Sequence, residues 1–287
     1  MKKAKVRVIG VICAVVTALT GCSLTQNTSD TIKETETQTI NFVDAAGNSY
    51  EMQVNPNVEK NPYWKDCFVH DGDLLSYQGD DRYTYRLGVD VSHHQADIDW
   101  ESVAASGMKF AFVRLGYRGY GKEGTMHEDS LFEKNFKQAQ ATGLDVGVYF
   151  FSQAVTEAEA KEEADFVIEH LKGKNPQLPV VFDPETITED EARTDNVSGE
   201  QFTKNAMAFC KEIKQAGYEP MIYCNMMWQA YELDLGKLTD YPIWYADYRE
   251  KPQTPYKFTY WQYTNSAEIS GISGSADVDI QMIPAGK

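Results

Sequence analysis

At 287 residues the chain has room for one large domain with an extension, or for two small ones. Its 42% hydrophobic and 12% aromatic content is that of a folded protein and excludes a wholly disordered chain. A formal charge of -16 argues against a nucleic-acid binder, and against polybasic attraction to anionic membranes or wall polymers.

The N-terminus has the layout of a secretory signal: basic MKKAKVR, then an apolar run from Val8 to Leu19. That run is too short to span a bilayer as a stable helix. It ends in Leu19-Thr20-Gly21-Cys22, which resembles the bacterial lipobox. The resemblance implies cleavage after residue 21 and a lipid on Cys22, giving an exported lipoprotein on the cell membrane that faces the cell wall. Loss of residues 1–21 removes Lys2, Lys3, Lys5 and Arg7 and no acid, so the mature chain becomes more acidic. Residues 22–39 are polar and lack aromatics, and are expected to act as a flexible tether. Beyond Cys22 only Cys67, Cys210 and Cys224 remain, an odd number for a disulfide framework. Cys210 lies on an apolar helical stripe, where cysteine acts as a small hydrophobe, and no catalytic thiol is expected.

Residues 40–85 form a small N-terminal extension. Thr39–Val43 and Tyr50–Val54 alternate about Ala46-Gly47-Asn48, which predicts a β-hairpin. The remainder of that stretch is expected to be irregular and to pack on the main domain. From residue 86 a rhythm of short apolar runs begins, at 87–91, 109–115, 145–151, 178–183, 219–224, 242–246, 257–263 and 277–281. Helical patterns separate the first five. They open at Ser130-x-x-Glu133, Thr156-x-x-Glu159 and Ser198-x-x-Gln201, which read as helix starts with capping-box spacing. Helices end at Gly107, Gly143, Gly173 and Gly217, as left-handed C-terminal caps prefer. Such alternation implies a parallel sheet, and eight strands in about 200 residues fit a closed barrel better than an open doubly wound sheet. The last three strands have little room for helices between them. The fold expected for residues 86–287 is therefore an irregular, TIM-like (β/α) barrel of about eight strands and five helices.

The active site of a parallel barrel lies at the C-terminal ends of its strands. Acidic residues gather there: Asp90, the Asp183-Pro184-Glu185 run, Asp247, and Asp277-Val278-Asp279. Asp183 and Glu185 project to one face of an extended chain, roughly 6.6 Å apart along the strand. Two carboxyls held that close push their pKa values apart, so that one stays protonated as general acid while the other stays ionised. Glycosidic bond cleavage needs that division of labour. Tyr149, Tyr223, Trp244, Tyr245 and Trp261 fall near the same edge and suit a sugar ring, although alternate residues among them must be core. His93 and His94 alternate faces on an extended segment, which speaks against a shared metal ion. No phosphate loop, G-x-S-x-G or cysteine–histidine pairing is present, and no cofactor or metal is expected.

In order along the chain stand LGVDVSHHQADIDW, KFAFVRLGYRGYG, DVGVYFFSQA, PVVFDPE, GYEPMIYCN, PIWYADY and YWQYT…GISGSADVDIQ. From about residue 86 to 283 the sequence resembles the family-25 glycoside hydrolases, lysozymes of bacterial and phage origin. The resemblance implies cleavage of the β-1,4 bond between N-acetylmuramic acid and N-acetylglucosamine in peptidoglycan glycan strands. It places the general acid on Glu185, its partner on Asp183, and further carboxylates on Asp90 and Asp279, with Asp277 competing for the last position. The expected substrate-binding aromatics are Tyr149, Tyr223, Tyr245 and Trp261, and the expected state is a monomer. Pro184 and Ala96 depart from the family's usual residues, and Pro184 lacks the N–H that an apolar residue there could donate. Two other readings stay open: a non-catalytic cell-wall glycan-binding lipoprotein, and a glucosaminidase or chitinase-like hydrolase. The chitinase pattern D-x-x-D-x-D-x-E is absent, and a pure binder has no need of the Asp183–Glu185 pair.

Overall fold

A computed structural model describes residues 38–188 and 190–286. The expected signal peptide, Cys22 and the tether up to residue 37 lie outside the described residues. The described residues form one compact unit.

The extension forms two antiparallel hairpins, β1 (Thr39–Val43) with β2 (Ser49–Gln53) and β3 (Phe68–Asp71) with β4 (Leu74–Tyr77). The first is the hairpin its alternation predicts; the second lies in the stretch expected to be irregular. The barrel then runs β5 (Tyr83–Val91), α1 (Trp100–Ala105), β6 (Phe110–Arg118), β7 (Met126–Glu128) and α2 (Phe132–Ala141). It continues with β8 (Asp145–Ser152), α3 (Glu157–His170), β9 (Val180–Pro184), α4 (Gly199–Gln215) and β10 (Pro220–Asn225). A π-helical turn at Trp228–Glu232 precedes β11 (Ile243–Ala246), β12 (Tyr260–Ala267) and β13 (Ala276–Pro284).

The strand order is β5-β13-β12-β11-β10-β9-β8-β6, and the β5–β6 pairing closes this ring of eight. β7 hangs on β6 as a short antiparallel flap. With the π-helical turn, five helices accompany the barrel among the described residues. The expected α/β barrel is the observed one, with one departure: β13 runs antiparallel to both β12 and β5. A parallel neighbour needs a long crossover, and the short β12–β13 link leaves room only for a hairpin.

Local chemistry sets the helix boundaries. Thr156 Oγ1 accepts the Glu159 N–H at 3.2 Å, and Ser198 Oγ accepts that of Gln201 at 3.3 Å. Ser130 does not cap α2, which begins at Phe132 without a side-chain cap. Asp129 instead starts the turn, its Oδ1 taking the Leu131 N–H at 3.0 Å and its carbonyl the Phe132 N–H at 2.9 Å. Gly107, Gly143, Gly173 and Gly217 all have positive φ and stop their helices as expected.

Strand alternation divides the apolar side chains into two groups. Phe110, Phe112, Val181, Met221, Trp244 and Tyr260 fill the barrel interior, where Phe112 stacks on Trp244 at 4.7 Å between centroids. A Cβ on Gly88 would lie 2.3 Å from the Phe110 ring, so only glycine admits that phenylalanine. Val89, Val113, Val148, Phe182, Ile222, Tyr245, Trp261, Val278 and Ile280 face outward into the larger core. Helices cover that outer surface beside β6 to β10.

The extension covers the part of the wall without helices. Phe68 meets Trp261 edge-on at 5.2 Å, and Tyr63 lies 4.9 Å from Phe258. Tyr63 Oη donates to the Phe258 carbonyl at 2.7 Å, and Gln253 pairs with both backbone groups of Val43. Cys67, Cys210 and Cys224 are buried free thiols, so none forms a disulfide here.

Candidate active site

Ten residues line a cleft of about 310 Å³ at the barrel mouth: Asp90, Tyr149, Asp183, Glu185, Tyr223, Trp244, Tyr248, Gln262, Asn265 and Asp277. Every strand from β8 to β13, together with β5, contributes to it. Asp90, Asp183, Glu185, Tyr149 and Tyr223 are thus brought together as the sequence suggests.

Asp183, at the end of β9, is almost fully buried, and its Oδ1 has no hydrogen-bond partner among the described residues. The Glu185 carboxyl acts directly on it, so the two acids titrate together. Burial raises Asp183 well above the usual carboxylate range, and the Glu185 charge raises it further. Glu185 is reachable from solvent, yet the cleft walls displace much of the water around it. That desolvation and the Asp277 charge raise its pKa, while the Arg114 guanidinium pulls it down. Arg114 is held by Asp129 at 2.9 Å through Nε.

Pro184 removes one ladder donor, and a side chain steadies the backbone beyond it. Gln153, buried after β8, donates from Nε2 to the Glu185 carbonyl at 2.8 Å and accepts from Thr194 Oγ1 at 2.9 Å. Proline is tolerated here because it sits at the strand's last position.

Asp277 and Asp279 both point inward, but at different depths. The reversed direction of β13 puts Asp277 beside Asp90 at the mouth, and Asp279 beside Gly88 farther in. Asp277 lines the cleft and is raised by burial to about 6. Asp279 is fully buried below it, accepts from Trp244 Nε1 at 2.7 Å and does not line the cleft. The frame of the motif thus favours Asp279, whereas cleft access belongs to Asp277.

Two of the expected binding aromatics lie elsewhere. Tyr245 and Trp261 are fully buried on the outer side of the barrel. Tyr245 Oη donates to Asp247 at 2.7 Å, and Trp261 Nε1 donates to the Asp247 carbonyl at 2.8 Å. Neither contacts the cleft, because each is out of phase with an inward neighbour, Trp244 and Gln262 respectively. Asp247 turns outward with them. His93 and His94 also differ from expectation. A 3-10 turn brings their rings to 4.1 Å, and His93 Nδ1 meets Asp129 at 3.0 Å.

Gln262, Tyr248, Asn265 and Arg114 join the site without having been singled out from the sequence. Gln262 donates to Asp90 Oδ2 at 2.7 Å and accepts from Tyr223 Oη at 2.9 Å and Tyr248 Oη at 2.8 Å. A glutamine two residues before a threonine on a strand carries no chemical signature; only its inward phase, shared with Tyr260, hints at it.

Comparison with known proteins agrees with this geometry. The model of the glycosyl hydrolases family 25 matches residues 89–272, and the chain belongs to that family. An autolytic lysozyme of Clostridium acetobutylicum is 25% identical over 193 residues, covering 67% of this chain and 54% of the relative. The chain thus aligns with about half the length of that relative. A family 25 glycosyl hydrolase structure from Bacillus anthracis is 27% identical with a TM-score of 0.57, covering 73% of this chain and 93% of that one. The autolysin LytC of Streptococcus pneumoniae, solved with a synthetic peptidoglycan ligand, shares the fold at TM-score 0.62 and 24% identity. That match covers 84% of this chain and 56% of LytC.

Proposed function

We propose that this protein is a peptidoglycan hydrolase of the muramidase type, cleaving the β-1,4 bond between N-acetylmuramic acid and N-acetylglucosamine. The observation that carries the reading is the Asp183–Glu185 carboxyl pair in a tyrosine-walled acidic cleft. Lysozymes and an autolysin among its relatives support the substrate class.

Glu185, raised and facing the open cleft, is suited to protonate the leaving oxygen of the scissile bond. Asp183 keeps a buried, unpartnered oxygen that a substrate N–H or a developing positive centre would satisfy. It would either stabilise the oxocarbenium-like centre or orient the sugar's own acetamido group for attack. The Asp277 charge beside Glu185 favours its protonated form. In the cell we place the enzyme on the outer membrane face, tethered through lipid on Cys22 and working on nearby wall. Among the described residues no helix is long and apolar enough to cross a membrane.

The test is digestion of purified peptidoglycan by the chain from Cys22 onward, beside Glu185→Gln, with identification of new reducing ends. Reducing-end muramic acid, abolished in the variant, supports the proposal. Reducing-end glucosamine would reassign the bond. Glycan pull-down without new ends would make the protein a binder. Radiolabelled fatty acid retained by the full chain but not by Cys22→Ala would support the anchor, and equal labelling would refute it.

A further inference from the structure

Gln262 is 4% exposed and stands at the centre of one cleft wall. Its Oε1 accepts both the Tyr223 and Tyr248 hydroxyls, and its Nε2 is committed to Asp90. An amide has one oxygen and one nitrogen end, so each end is fixed by what it meets. Asp90 Oδ2 receives a hydrogen here, so that oxygen carries no proton of its own. A phenol has a single hydrogen, and in both tyrosines it points at Gln262. Both tyrosines line the cleft, and each oxygen keeps lone pairs for an incoming donor. The Trp244 N–H is likewise consumed, by Asp279. Asp90, Asp277, Tyr223 and Tyr248 therefore offer acceptors along one side of the cavity. Tyr149 lines the same cavity and makes no hydrogen bond among the described residues, so its hydroxyl is free to donate.

We propose that Gln262 is a positioning residue that sets the polarity of this wall, fixing Tyr223 and Tyr248 as acceptors for a sugar N–H or O–H donor and holding Asp90 in place. The inference rests on the reading of the cleft as a glycan site, but not on which bond is cut. It makes Gln262 a specificity determinant, because a ligand presenting an acceptor to Tyr223 and Tyr248 meets only lone pairs. Such unpaired buried contacts discriminate more strongly than shape does.

The experiment uses the chain from Cys22 onward with a soluble peptidoglycan fragment. Gln262→Leu removes both functions. Gln262→Glu keeps an acceptor for the phenols and removes the donor to Asp90. Tyr248→Phe removes one acceptor from the wall and leaves Gln262 itself. Expected is a KM or Kd about tenfold higher for Gln262→Leu and Tyr248→Phe, as loss of one hydrogen bond to a ligand implies. For Gln262→Glu, KM should stay nearer the parent while the pH profile of kcat moves, since a fifth acid now joins Asp90, Asp183, Glu185 and Asp277. A purely structural role would lower the melting temperature and leave KM and the pH profile of the folded fraction unchanged, and that outcome overturns the proposal. If Gln262→Leu does not fold, Tyr248→Phe and Gln262→Glu decide it by the same measures. If the parent binds the fragment without cleaving it, the hydrolase reading falls and Kd alone decides: a tenfold loss sustains the Gln262 role, an unchanged Kd overturns it. Absence of binding by the parent overturns both.

Discussion

Asp277 on β13 lies directly across the antiparallel ladder from Asp90 on β5, and both carboxyls line one cleft at the mouth of the barrel. This pair faces the Asp183–Glu185 pair across the same cavity. Four carboxyls lining one cleft titrate as a unit, so removing any one acid changes the others.

The Asp277 charge raises Glu185, and its removal should lower it. A general acid works only while protonated, so in Asp277→Asn the alkaline limb of the kcat profile should move to lower pH. Asp279→Asn should shift it less, because that side chain is engaged with Trp244 below the cleft. Initial rates from pH 4 to 9 would show this, and equal shifts in both variants would refute the distinction.

Arg114 acts in the opposite sense, since its charge pulls down both Asp183 and Glu185. In Arg114→Met the alkaline limb should move to higher pH. The same rate series checks it; a shift to lower pH would mean that Arg114 matters through Asp129 rather than through its charge.

Glu163 on α3 is fully buried, with Arg118 Nε at 2.7 Å and Ser152 Oγ at 2.6 Å. Burial nevertheless outweighs these partners and lifts its pKa to about 7 from 4.5, as it lifts Asp277 to about 6 from 3.8. The folded state therefore keeps these protons at pH values where the unfolded chain has lost them. Their contribution is fully present below the unfolded values and is lost as pH rises through 6 and 7. Glu163→Gln keeps the shape and the Arg118 bond but cannot titrate. Urea unfolding should show a shallower fall in stability between pH 4.5 and 7 for Glu163→Gln than for the parent. Parallel curves would refute the assignment.

Glu163→Ala is a different case, because it strands the Arg118 guanidinium, itself 5% exposed. Removing one partner of a buried ion pair costs about 3–5 kcal/mol. Denaturant melts at about pH 8, where Glu163 is ionised, should report a loss of that size, and a loss below 1 kcal/mol would mean that Glu162, at 3.3 Å, takes over the charge.

Phe68 is the extension's plug over Trp261. Phe68→Ala should cost about 3–5 kcal/mol, the usual range for a buried phenylalanine. It should also shift tryptophan fluorescence to the red as water reaches the helix-free wall. Unchanged stability would make the extension an ornament on a self-sufficient barrel.

Periodicity alone made most of the fold legible. Eight apolar runs, the two capping positions Thr156 and Ser198 and four terminal glycines are local signals, and each reports on the few residues around it. The Asp183–Glu185 pair was legible for the same reason, since both acids stand on one strand. Ser130 is not the cap, because the turn starts one residue earlier, at Asp129.

What the sequence by itself determined is therefore the inventory: the strands, most helix ends, and the acids that reach the mouth. Tertiary structure alone decided which side of the wall each aromatic faces, because adjacent residues such as Trp244 and Tyr245 have equal propensity and opposite phase. It also decided that Asp277, not Asp279, reaches the cleft, since the antiparallel run of β13 inverts which end of a strand is the mouth. The Gln262 junction belongs to the same class. Its three partners come from β5, from β10 and from the loop after β11, and only closure of the ring brings them within hydrogen-bond reach.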